Sequence, residues 1–457
     1  MDGITADDLL LSLTMMEILR IAEMRRIGVL VAVLCLAAVG LCCGSGSAGG
    51  VPASSEPEYS LIFTRQAVDE YELIFTLSSW QSLQREPFEY VSGTLKFADE
   101  IYENVGIRYK GNSSFHGVSS PKKPFKVDFN RYVSGQHFHG VKKLNFANSL
   151  WDPSMMREVL AYDTFAAAGC PASRTSHIKL YVSVPGIYER KLFGVYIAIE
   201  QVDKVYLADR FSNNGGNLYK AAMWGADLKW LGGESAPYRE CYEKKTNEAE
   251  DDWSDLIHFI DVLNNTDSAS FKIEIEKVFN VDGFLSYLAA NTALSNLDSV
   301  AGRNCNFYLY NNPATGKFEF IPWDLNEAFG NHTFPRDNGL TADEMLTLDI
   351  YNPVSPGEHV LIERILAVPE YMDAYLAKLW PLVEGYFSES SMHAEIDTIY
   401  DLIRNDVYLD IYKQYSSADF DRSIIEDIPD DISPERILGL KPFVTRRVAS
   451  ILGQLES

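Results

Sequence analysis

Short runs of alternating apolar and polar residues fill the chain from Tyr59 to about residue 205. In the run KKPFKVDF, which begins at Lys122, three apolar residues alternate with Lys126 and Asp128, the two-residue period of a half-buried strand. Further strands are predicted within Gly106–Phe115, Lys142–Ser149, His177–Val184 and Leu192–Asp203. The pattern predicts a mainly β region in this part of the chain.

Helical periodicity interrupts these strands once and dominates after them. Asp152 suits an N-cap and Pro153 suits the first helical position, and the helical pattern closes near Gly169. Beyond residue 205, apolar residues share one face of a predicted helix at residues 253–263, and another predicted helix ends near Asp298. The remainder, from about residue 343, is also predicted to be helical.

A predicted hairpin lies inside the helical region. Strand Phe307–Tyr310 is joined to strand Phe318–Ile321 by a polar loop, and Asp324 follows the second strand directly after Trp323. A buried charge is costly unless it is paired or holds a metal. A carboxylate at the end of a buried strand therefore needs either a charged partner or a bound metal ion.

The order of the elements predicts the fold class. Strands, one helix, more strands and then helices with an inserted hairpin indicate an α+β fold with a small mixed β lobe, residues 59–205, and a larger mainly helical lobe, residues 206–457. The chain has 457 residues, of which 46% are apolar and 12% aromatic, enough to bury a large core. Clefts between two such lobes commonly hold ligands.

The N-terminal segment has the pattern of a secretory signal. Two arginines precede the apolar run Ile27–Leu41, and small residues follow it. Residues 1–48 are predicted to be a signal peptide or an N-terminal anchor, and residues 49–58, rich in Gly, Ser, Ala and Pro, a linker. Two cysteines after the run leave lipid attachment open, and its length leaves a membrane anchor open.

Charge narrows the class of partner. With 40 Lys and Arg against 64 Asp and Glu, the net charge of −24 argues against general nucleic-acid binding, because phosphate contacts need a basic surface. Residues 96–143 are an exception, with nine basic and four acidic residues. This local excess suits a single anionic ligand, and a solvated strand face that balances nearby acids explains it equally well.

Cysteine usage is sparse outside the N-terminal segment. Three of the six cysteines lie in that segment, and Cys170, Cys241 and Cys305 are widely spaced. This spacing excludes a dense disulfide scaffold and does not match a zinc site. One bridge among the three is left open.

Three polar residues at the ends of predicted elements indicate phosphoryl transfer. Asp298 ends a helix, Asn306 follows eight residues later, and Asp324 ends the hairpin. In protein kinases a loop Asp orients or deprotonates the acceptor hydroxyl, while a loop Asn and a later Asp hold magnesium. Magnesium prefers oxygen ligands from one or two carboxylates plus phosphate. Taken alone, Asp324 is more typical of a capping residue at a strand-to-helix turn.

The β region offers groups that would complete such a site. Lys126, in the alternating strand, is the candidate for contact with ATP phosphates, and Glu158 in the following helix is the candidate to brace it. The turn KGNSS, Lys110–Ser114, offers backbone amides to phosphate. Taken singly, each of these features is more typical of a solvated side chain or an ordinary turn.

Together these stretches resemble the CotH (spore coat protein H) kinase family of secreted atypical protein kinases. The resemblance rests, in order between Gly106 and Gly330, on GIRYKGNSS, KKPFKVDF, KLNFANSLWDPSMMREVLAYDTFAAAG, GVYIAIEQVD, GNLYK, NLDSVAGRNCNFYLY and FIPWDLNEAFG. It implies a divergent two-lobed protein-kinase-like fold across residues 59–457. It also implies that the protein binds ATP with Mg²⁺ or Mn²⁺ and phosphorylates Ser or Thr of a protein acceptor.

The resemblance assigns roles to individual residues. By it, Asp298 matches the catalytic aspartate, and Asn306 and Asp324 match the metal-binding pair. Lys126 matches the phosphate-contacting lysine, with Lys110 as its rival for that role.

Two further residues are implicated in nucleotide binding. Glu158 would brace the phosphate-contacting lysine, and Glu200 falls where the chain crosses between the lobes, near the adenine. The sequence departs from ordinary kinases, because it has no G-x-G-x-x-G loop and no H-R-D or D-F-G triplet.

Three interpretations compete. The first is a secreted ATP-dependent Ser/Thr kinase, and the second is a non-catalytic extracellular structural or docking protein that retains the kinase-like fold. The third, a carbohydrate-binding surface protein, rests on 7 Trp and 25 Tyr, which are more often core residues. All three predict a secreted or surface-anchored protein that meets a membrane only through its N-terminal segment and binds no nucleic acid.

Overall fold

Alternating apolar residues build a closed β-barrel at the start of the computed structural model, which describes residues 57–222, 225–331, 340–429 and 436–456. The predicted signal or anchor segment, residues 1–48, and residues 49–56 of the predicted linker lie outside these ranges. The barrel strands are β1 (Asp69–Ile74), β2 (Val91–Phe97), β3 (Glu100–Tyr109), β4 (Phe125–Asp128), β5 (Lys143–Ala147), β6 (Thr175–Val184) and β7 (Tyr188–Glu200).

The barrel closes because β1 and β6, the strands at the two ends of the strand order, pair with each other. The strand order is β1-β2-β3-β4-β5-β7-β6, and β6 returns to pair in parallel with β1, with Tyr71 opposite Leu180. The other barrel pairs are antiparallel. Closure leaves no open sheet edge, which removes the unpaired backbone groups that an edge strand exposes.

A second sheet follows the barrel and includes the predicted hairpin. Its strands are β8 (Leu218–Ala221), β9 (Tyr242–Lys244), β10 (Phe307–Asn312) and β11 (Lys317–Pro322), in the order β11-β10-β8-β9. A short pair, β12 (Ile428–Pro429) and β13 (Arg436–Ile437), lies near the end of the described chain. The hairpin prediction is confirmed, with two extra residues at the end of its first strand and one at each end of its second.

Helices fill most of the remaining described chain. They are α1 (Tyr59–Ile62), α2 (Leu77–Arg85), α3 (Ser113–His116), α4 (Arg157–Ala167), α5 (Lys204–Phe211), α6 (Ser235–Cys241), α7 (Ser254–Asn265), α8 (Phe271–Val278), α9 (Val281–Ala293), α10 (Ala342–Leu346), α11 (Val360–Leu366), α12 (Pro369–Glu384), α13 (Glu389–Leu409), α14 (Ser417–Ile425) and α15 (Leu440–Leu455). The fold is thus mixed α and β, with the strand-rich part first, as predicted.

Buried apolar side chains form two clusters. One fills the barrel and contains Tyr71, Leu95 and Phe146. The other surrounds α9, whose residues are all buried except Asp282 and Gly283, and joins the second sheet to the later helices. Helix α4 belongs to this second cluster through its apolar residues, so the helix attaches the strand-rich part of the chain to the helical part.

The predicted start of α4 is wrong by several residues. The helix begins at Arg157 rather than at Pro153, because Met155 adopts a left-handed backbone with φ of +55° that interrupts a helical path. Asp152 still organises this end, since its carboxylate accepts the backbone N–H groups of Ser154 at 3.0 Å and Arg157 at 2.9 Å. The Asp and Pro pattern therefore identified the turn but not the first helical residue.

The predicted end of α9 is also wrong, because the helix stops at Ala293 and leaves Asp298 in a loop. Ser295 has φ of +44°, and the Asn291 side chain donates to the carbonyl of Asn296 at 2.9 Å, which holds the chain in a turn. The loop carries Asp298 beyond the helix end.

The question of a disulfide falls within the described residues, whereas the membrane-anchor alternative concerns residues 1–48, which lie outside them. Cys170, Cys241 and Cys305 do not form disulfide bonds. Among the described helices, none has the length and apolar character needed to span a membrane.

Candidate functional site

A cavity of about 310 Å³ lies where the ends of barrel strands meet the loops around the hairpin. Its lining residues are Lys110, Gly111, Asn112, Ser113, Ser114, Pro124, Ala147, Asn148, Ser149, Leu150, Trp151, Glu158, Lys220, Ala221, Ala222, Glu243, Asp298, Arg303, Cys305, Asn306, Asp324, Asn326 and Glu327. Five of the seven residues singled out from the sequence are in this set. We call this cavity the catalytic cavity, after the role that we propose for it.

The loop after α9 brings Asp298 and Asn306 into direct contact. The Asn306 side-chain nitrogen donates to the Asp298 carboxylate at 2.7 Å and to the Asp298 backbone carbonyl at 2.9 Å. Asp298 is buried, and its carboxylate also lies 3.9 Å from the Arg303 guanidinium and 3.5 Å from the Cys305 thiol, which donates to it. The loop thus fixes the orientation of the Asp298 carboxylate in the cavity wall.

The hairpin brings Asn306 and Asp324 to the same end of its paired strands. Strand register places Phe307 opposite Pro322, and the N–H of Trp323 donates to the Asn306 carbonyl at 3.1 Å. Each candidate ligand therefore lies just outside the paired strands, at the same end of the hairpin. Local antiparallel pairing is what assembles this half of the cavity.

Residues with a left-handed backbone contribute to the wall of this cavity. Asn306 has φ of +59° and Asp324 has φ of +56°, and across the cavity Ser149 and Trp151 have φ of +54° and +62°. Non-glycine residues rarely adopt this left-handed region, although Asn and Asp tolerate it best. Strained residues of this kind persist where the surrounding structure holds them and are frequent at functional sites.

Helix α4 supplies the buried acid Glu158, which is only 2% exposed. Burial and then the neighbouring Asp324 carboxylate raise the pKa of Glu158, and although Lys110 and the backbone amide of Leu325 oppose the rise, the pKa reaches about 8. The hydroxyl of Tyr162, one turn along the same helix, accepts the N–H of Asp324 at 3.1 Å. Helix α4 therefore contacts the chain segment that carries Asp324.

A buried ion pair fixes the start of α4. The Arg157 guanidinium lies 2.8 Å from the Asp152 carboxylate, both side chains are fully buried, and Arg157 also donates to the carbonyl of Leu438. Because Glu158 is the next residue, this pair sets where its carboxylate enters the cavity. The ion pair of Arg157 with Asp152 therefore holds the Glu158 side chain in position.

Two lysines form the basic side of the cavity. Lys110 follows β3, and its ammonium lies 5.6 Å from the centre of the Trp323 ring. Lys220 extends from β8, where burial lowers its pKa and the Asp324 and Glu243 carboxylates oppose that fall. Lys220 is therefore electrostatically coupled to the Asp324 carboxylate, and Lys110 lies against the ring of the neighbouring Trp323.

Lys126 and Glu200 are not among the lining residues. The Lys126 ammonium donates to the Gln201 side-chain oxygen at 2.5 Å, and burial together with neighbouring positive charges holds its pKa well below the usual range. Glu200 is buried and lies 3.0 Å from Arg174 and 3.0 Å from Arg210. Both side chains already have partners beside the cavity.

Several lining residues escaped the sequence analysis. They are Lys220, Glu243, Arg303, Asn326 and Glu327. Asn326 and Glu327 lie within three residues of Asp324, and Arg303 lies between Asp298 and Asn306, so the neighbourhood of those motifs was a usable signal. Lys220 ends GNLYK, one of the stretches that carry the family resemblance, whereas Glu243 lies in none of them. Strand pairing across the second sheet brings both residues to the cavity.

Acidic groups outnumber basic groups in the cavity. The acids are Glu158, Glu243, Asp298, Asp324 and Glu327, and the basic residues are Lys110, Lys220 and Arg303. An excess of carboxylates repels a phosphate group unless a cation accompanies it. The charge balance therefore fits a ligand that arrives as a complex of an anion with a divalent cation.

The oxygen atoms at the hairpin end fit magnesium. The Asn306 side-chain nitrogen is committed to Asp298, which leaves its Oδ1 atom able to bind a cation beside the Asp324 carboxylate. One carboxylate and one amide oxygen, completed by phosphate and water, suit Mg²⁺. Within the described ranges, no group of three or more His, Cys, Asp or Glu side chains is arranged to hold a metal ion.

The fold and the cavity define a class of protein. Its fold is mixed α and β, and its cavity is rich in oxygen ligands and contains lysines. The chain belongs to the CotH kinase family, because the family described as CotH kinase protein matches residues 107–432. Inner spore coat protein H of Bacillus subtilis is 30% identical over 323 residues, which cover 70% of this chain and 82% of that protein. The predicted resemblance is confirmed.

Two relatives from one fungus each match more than half of the chain. Invasin CotH3 of Rhizopus delemar is 22% identical over 368 residues, covering 75% of this chain and 55% of the invasin. Invasin CotH2 of the same organism is 24% identical over 260 residues, covering 53% of this chain and 41% of that protein. The chain therefore spans about half the length of these two relatives.

One solved structure aligns with most of the chain but has low structural and sequence similarity to it. The proinflammatory kinase CtkA of Helicobacter pylori covers 72% of this chain and 93% of its own, with a TM-score of 0.22 and 10% sequence identity. A likeness this low carries no argument about the fold.

Proposed function

We propose that this protein is a secreted ATP-dependent kinase of the CotH type that phosphorylates Ser or Thr of a protein acceptor. The observation that carries the proposal is the convergence of Asp298, Asn306 and Asp324 on one cavity that also contains Lys110 and Glu158. Phosphoryl transfer needs little covalent chemistry from the protein and depends on positioning and charge neutralisation, which this set of residues can supply.

Asn306 and Asp324 would hold the metal ion. Magnesium or manganese, when bound, would neutralise the charge of the ATP phosphates. The hydrogen bonds from Asn306 to Asp298 orient the amide oxygen for this role, and the N–H of Asp324 is tied to Tyr162. The two ligands are therefore positioned before the nucleotide arrives.

Asp298 would act as the catalytic base. The hydroxyl oxygen of the acceptor forms a new bond to the γ-phosphorus, the bond to the bridging oxygen of ADP breaks, and the hydroxyl proton passes to the Asp298 carboxylate. Contacts with Asn306, Arg303 and Cys305 hold that carboxylate in place.

Lys110 is the better-placed lysine for phosphate contact. It lines the catalytic cavity, and its charge acts on the buried Glu158 carboxylate, so Glu158 would brace Lys110. Lys126 would then hold Gln201, and Glu200 would hold Arg174 and Arg210 where the chain leaves β7. Lys126 and Glu200 would thus shape the nucleotide-binding region through these partner residues.

The two-lobed kinase-like arrangement and the extracellular location belong to the same proposal. The barrel and the α9 region have separate apolar clusters, which supports two lobes around the cavity. The relatives are named a spore coat protein and invasins, which supports a surface or secreted protein. A protein acceptor and ATP are the partners that the proposal requires.

Incubation of purified protein with labelled ATP and either Mg²⁺ or Mn²⁺, with and without a generic protein acceptor, tests the proposal. Label should reach protein in a metal-dependent manner. In Asp298→Asn the transfer rate should fall by roughly 10²–10⁴, since a positioned base contributes about that much, while metal–ATP affinity stays close to that of the unmodified protein. Transfer unaffected by this substitution would refute the assignment of the base.

A non-catalytic docking protein is the second candidate. The names of the relatives, spore coat protein and invasin, favour a surface role. Metal–ATP binding without transfer to any acceptor, including the protein itself, would favour this candidate over the kinase.

A further inference from the structure

A second cavity, of about 350 Å³, lies outside the catalytic cavity and is mainly basic. We call it the basic cleft and define it by its lining residues, Asp128, Asn130, Arg131, Lys142, Lys143, Asp203, Lys204, Lys245 and Thr246. Five of these side chains are basic and two are acidic, in a chain whose net charge is −24. A positive cleft on so acidic a protein indicates an anionic ligand.

The two acids of the basic cleft have local partners. Asp128 lies 3.6 Å from the Lys143 ammonium and also accepts the N–H of Asn130 at 3.1 Å. Asp203 caps α5 by accepting the N–H of Val205 at 2.9 Å. The negative charges are thus used by the fold itself.

Two of the basic side chains are available for a ligand. Neither Arg131 nor Lys142 makes an ion pair with any residue in the described ranges. The Arg131 guanidinium lies 5.1 Å from the centre of the Tyr90 ring, whose other neighbour at 5.2 Å is Arg108. Stacking restricts the guanidinium, so binding an anion costs less side-chain entropy there than at a mobile arginine.

Two barrel strands connect the basic cleft with the catalytic cavity. Along β5, Ala147 lines the catalytic cavity and Lys143 lines the basic cleft. Along β4 the same holds for Pro124, just before the strand, and Asp128 at its end. Four residues of strand span roughly 13 Å, so the two sites are separated along the barrel wall by about the length of four extended residues.

We propose that the basic cleft binds a phosphorylated segment of the protein acceptor while a nearby hydroxyl of the same segment occupies the catalytic cavity. This inference rests on the proposed kinase function, because that activity produces the phosphorylated side chains. A phosphoryl group carries about two negative charges near neutral pH and three acceptor oxygens, which suits a guanidinium fork beside an ammonium. The protein would then prefer acceptors already phosphorylated about four residues from the next site.

Direct binding of labelled peptides tests the proposal without catalysis. Two peptides would share one sequence with two serines four residues apart, and one of them would carry phosphate on a single serine. Fluorescence anisotropy should show tighter binding of the phosphopeptide to the full chain. The double variant Arg131→Glu with Lys142→Glu should lose roughly tenfold or more of that affinity, the loss expected when charged hydrogen bonds disappear.

The controls separate the basic cleft from general charge. Lys96→Glu changes an exposed lysine of β2 outside the cleft and should leave phosphopeptide affinity unchanged. Lys142→Gln, with circular dichroism to verify folding, repeats the test with a milder change. Equal affinity for the two peptides, or affinity that survives the double variant, would overturn the proposal.

A third measurement decides between acceptor and nucleotide as the occupant. Metal–ATP affinity should be the same in the Arg131→Glu, Lys142→Glu double variant as in the unmodified protein. A parallel loss of metal–ATP affinity would assign the basic cleft to the nucleotide and overturn the acceptor assignment. Phosphopeptide binding in a protein that transfers no label would leave the docking inference standing while the kinase proposal fails.

Discussion

Two buried groups of charges in this protein are organised in opposite ways. Lys122 and Asp410, 288 residues apart, form a closed pair with 2.6 Å between the ammonium and the carboxylate and almost no exposure of either side chain. The same carboxylate accepts the N–H groups of Val195 at 3.1 Å and Tyr412 at 3.0 Å. It also fits against Gly194, where an added Cβ would lie 2.1 Å from a carboxylate oxygen.

The catalytic cavity leaves its charges unbalanced instead. Four carboxylates face three basic side chains, and the fifth acid, Glu158, is largely protonated at neutral pH because burial next to Asp324 raises its pKa to about 8. In a buried pair each charge compensates the other within the fold, whereas an excess of one sign in a cavity is compensated only by a ligand. The contrast separates structural charges from candidate functional charges better than burial does.

The largest expected effect is at the open site. Asp324→Ala should lower metal-dependent phosphate transfer by roughly 10³-fold or more and should remove metal-dependent ATP binding with it, because the metal contributes several kcal/mol. The unfolding free energy should change by no more than about 1 kcal/mol, since the side chain is only half-buried and supports no apolar core. Calorimetric ATP titration with Mg²⁺, transfer rates and denaturant unfolding measure the three quantities.

A matched control keeps this result specific. Asp282→Ala removes a carboxylate from the exposed first turn of α9 and should leave both ATP binding and transfer unchanged. If Asp324→Ala binds metal–ATP as tightly as the unmodified protein, Asp324 is a structural cap and the contrast between the two regions fails.

The closed pair should behave in the opposite way. Asp410→Ala should destabilise the fold by about 3–5 kcal/mol, because it strands the buried Lys122 ammonium. The folded fraction should still bind metal–ATP normally. Denaturant unfolding measured alongside ATP titration tests both statements.

A double variant sharpens that prediction. Lys122→Met with Asp410→Leu removes both charges and should recover part of the lost stability, though not all, because the N–H groups of Val195 and Tyr412 lose their acceptor. A loss below about 1 kcal/mol in Asp410→Ala would show that water solvates this pair and that it is not closed.

Local pairing explains which parts of the site the sequence could predict. Asn306 and Asp324 flank one hairpin, and the alternation of apolar residues in its strands was enough to place both at the same end. Asp298 lies a few residues from Asn306, so its proximity also followed from the chain. Sites assembled by short connections are visible in a sequence because few arrangements of the intervening chain are possible.

Long-range pairing explains what the sequence could not predict. The period-two pattern put Lys126 on the polar face of β4, but which group it meets depends on Gln201, 75 residues later. Lys220 reaches the cavity because β8 pairs with β10, and that partnership has no local signature. The left-handed Met155 that delays α4 likewise depends on surrounding contacts and overrides the signal of Asp152.

Acid should lower the stability of the fold through His177. Burial lowers the pKa of this histidine to about 4, and its ring nitrogen pairs with the Met155 carbonyl at 2.7 Å, with Arg65 and Asp152 as the nearby charges. Because the unfolded chain takes up the proton first, the contribution of His177 to stability is complete above pH 6.5 and falls by about 3 kcal/mol as the pH drops from 6.5 to 4.

Denaturant unfolding across this pH range, for the unmodified protein and for His177→Gln, measures the effect. The variant keeps a hydrogen-bond donor for Met155 but cannot take up a proton there, so its stability should depend less steeply on pH. The same slope in both proteins would assign the pH dependence to other groups.

The smallest expected effect compares the two lysines beside the cavity. Lys110 lines the cavity and its charge acts on Glu158, whereas the Lys126 ammonium is already bound to Gln201. Lys110→Ala should therefore weaken metal–ATP affinity by roughly tenfold, the loss of one charged hydrogen bond, and Lys126→Ala should weaken it less. Lys96→Ala, at an exposed position of β2, should have no effect. Isothermal calorimetry of the three variants decides the order, and a larger loss in Lys126→Ala would place the phosphate contact in β4, with Lys126 exchanging Gln201 for the nucleotide.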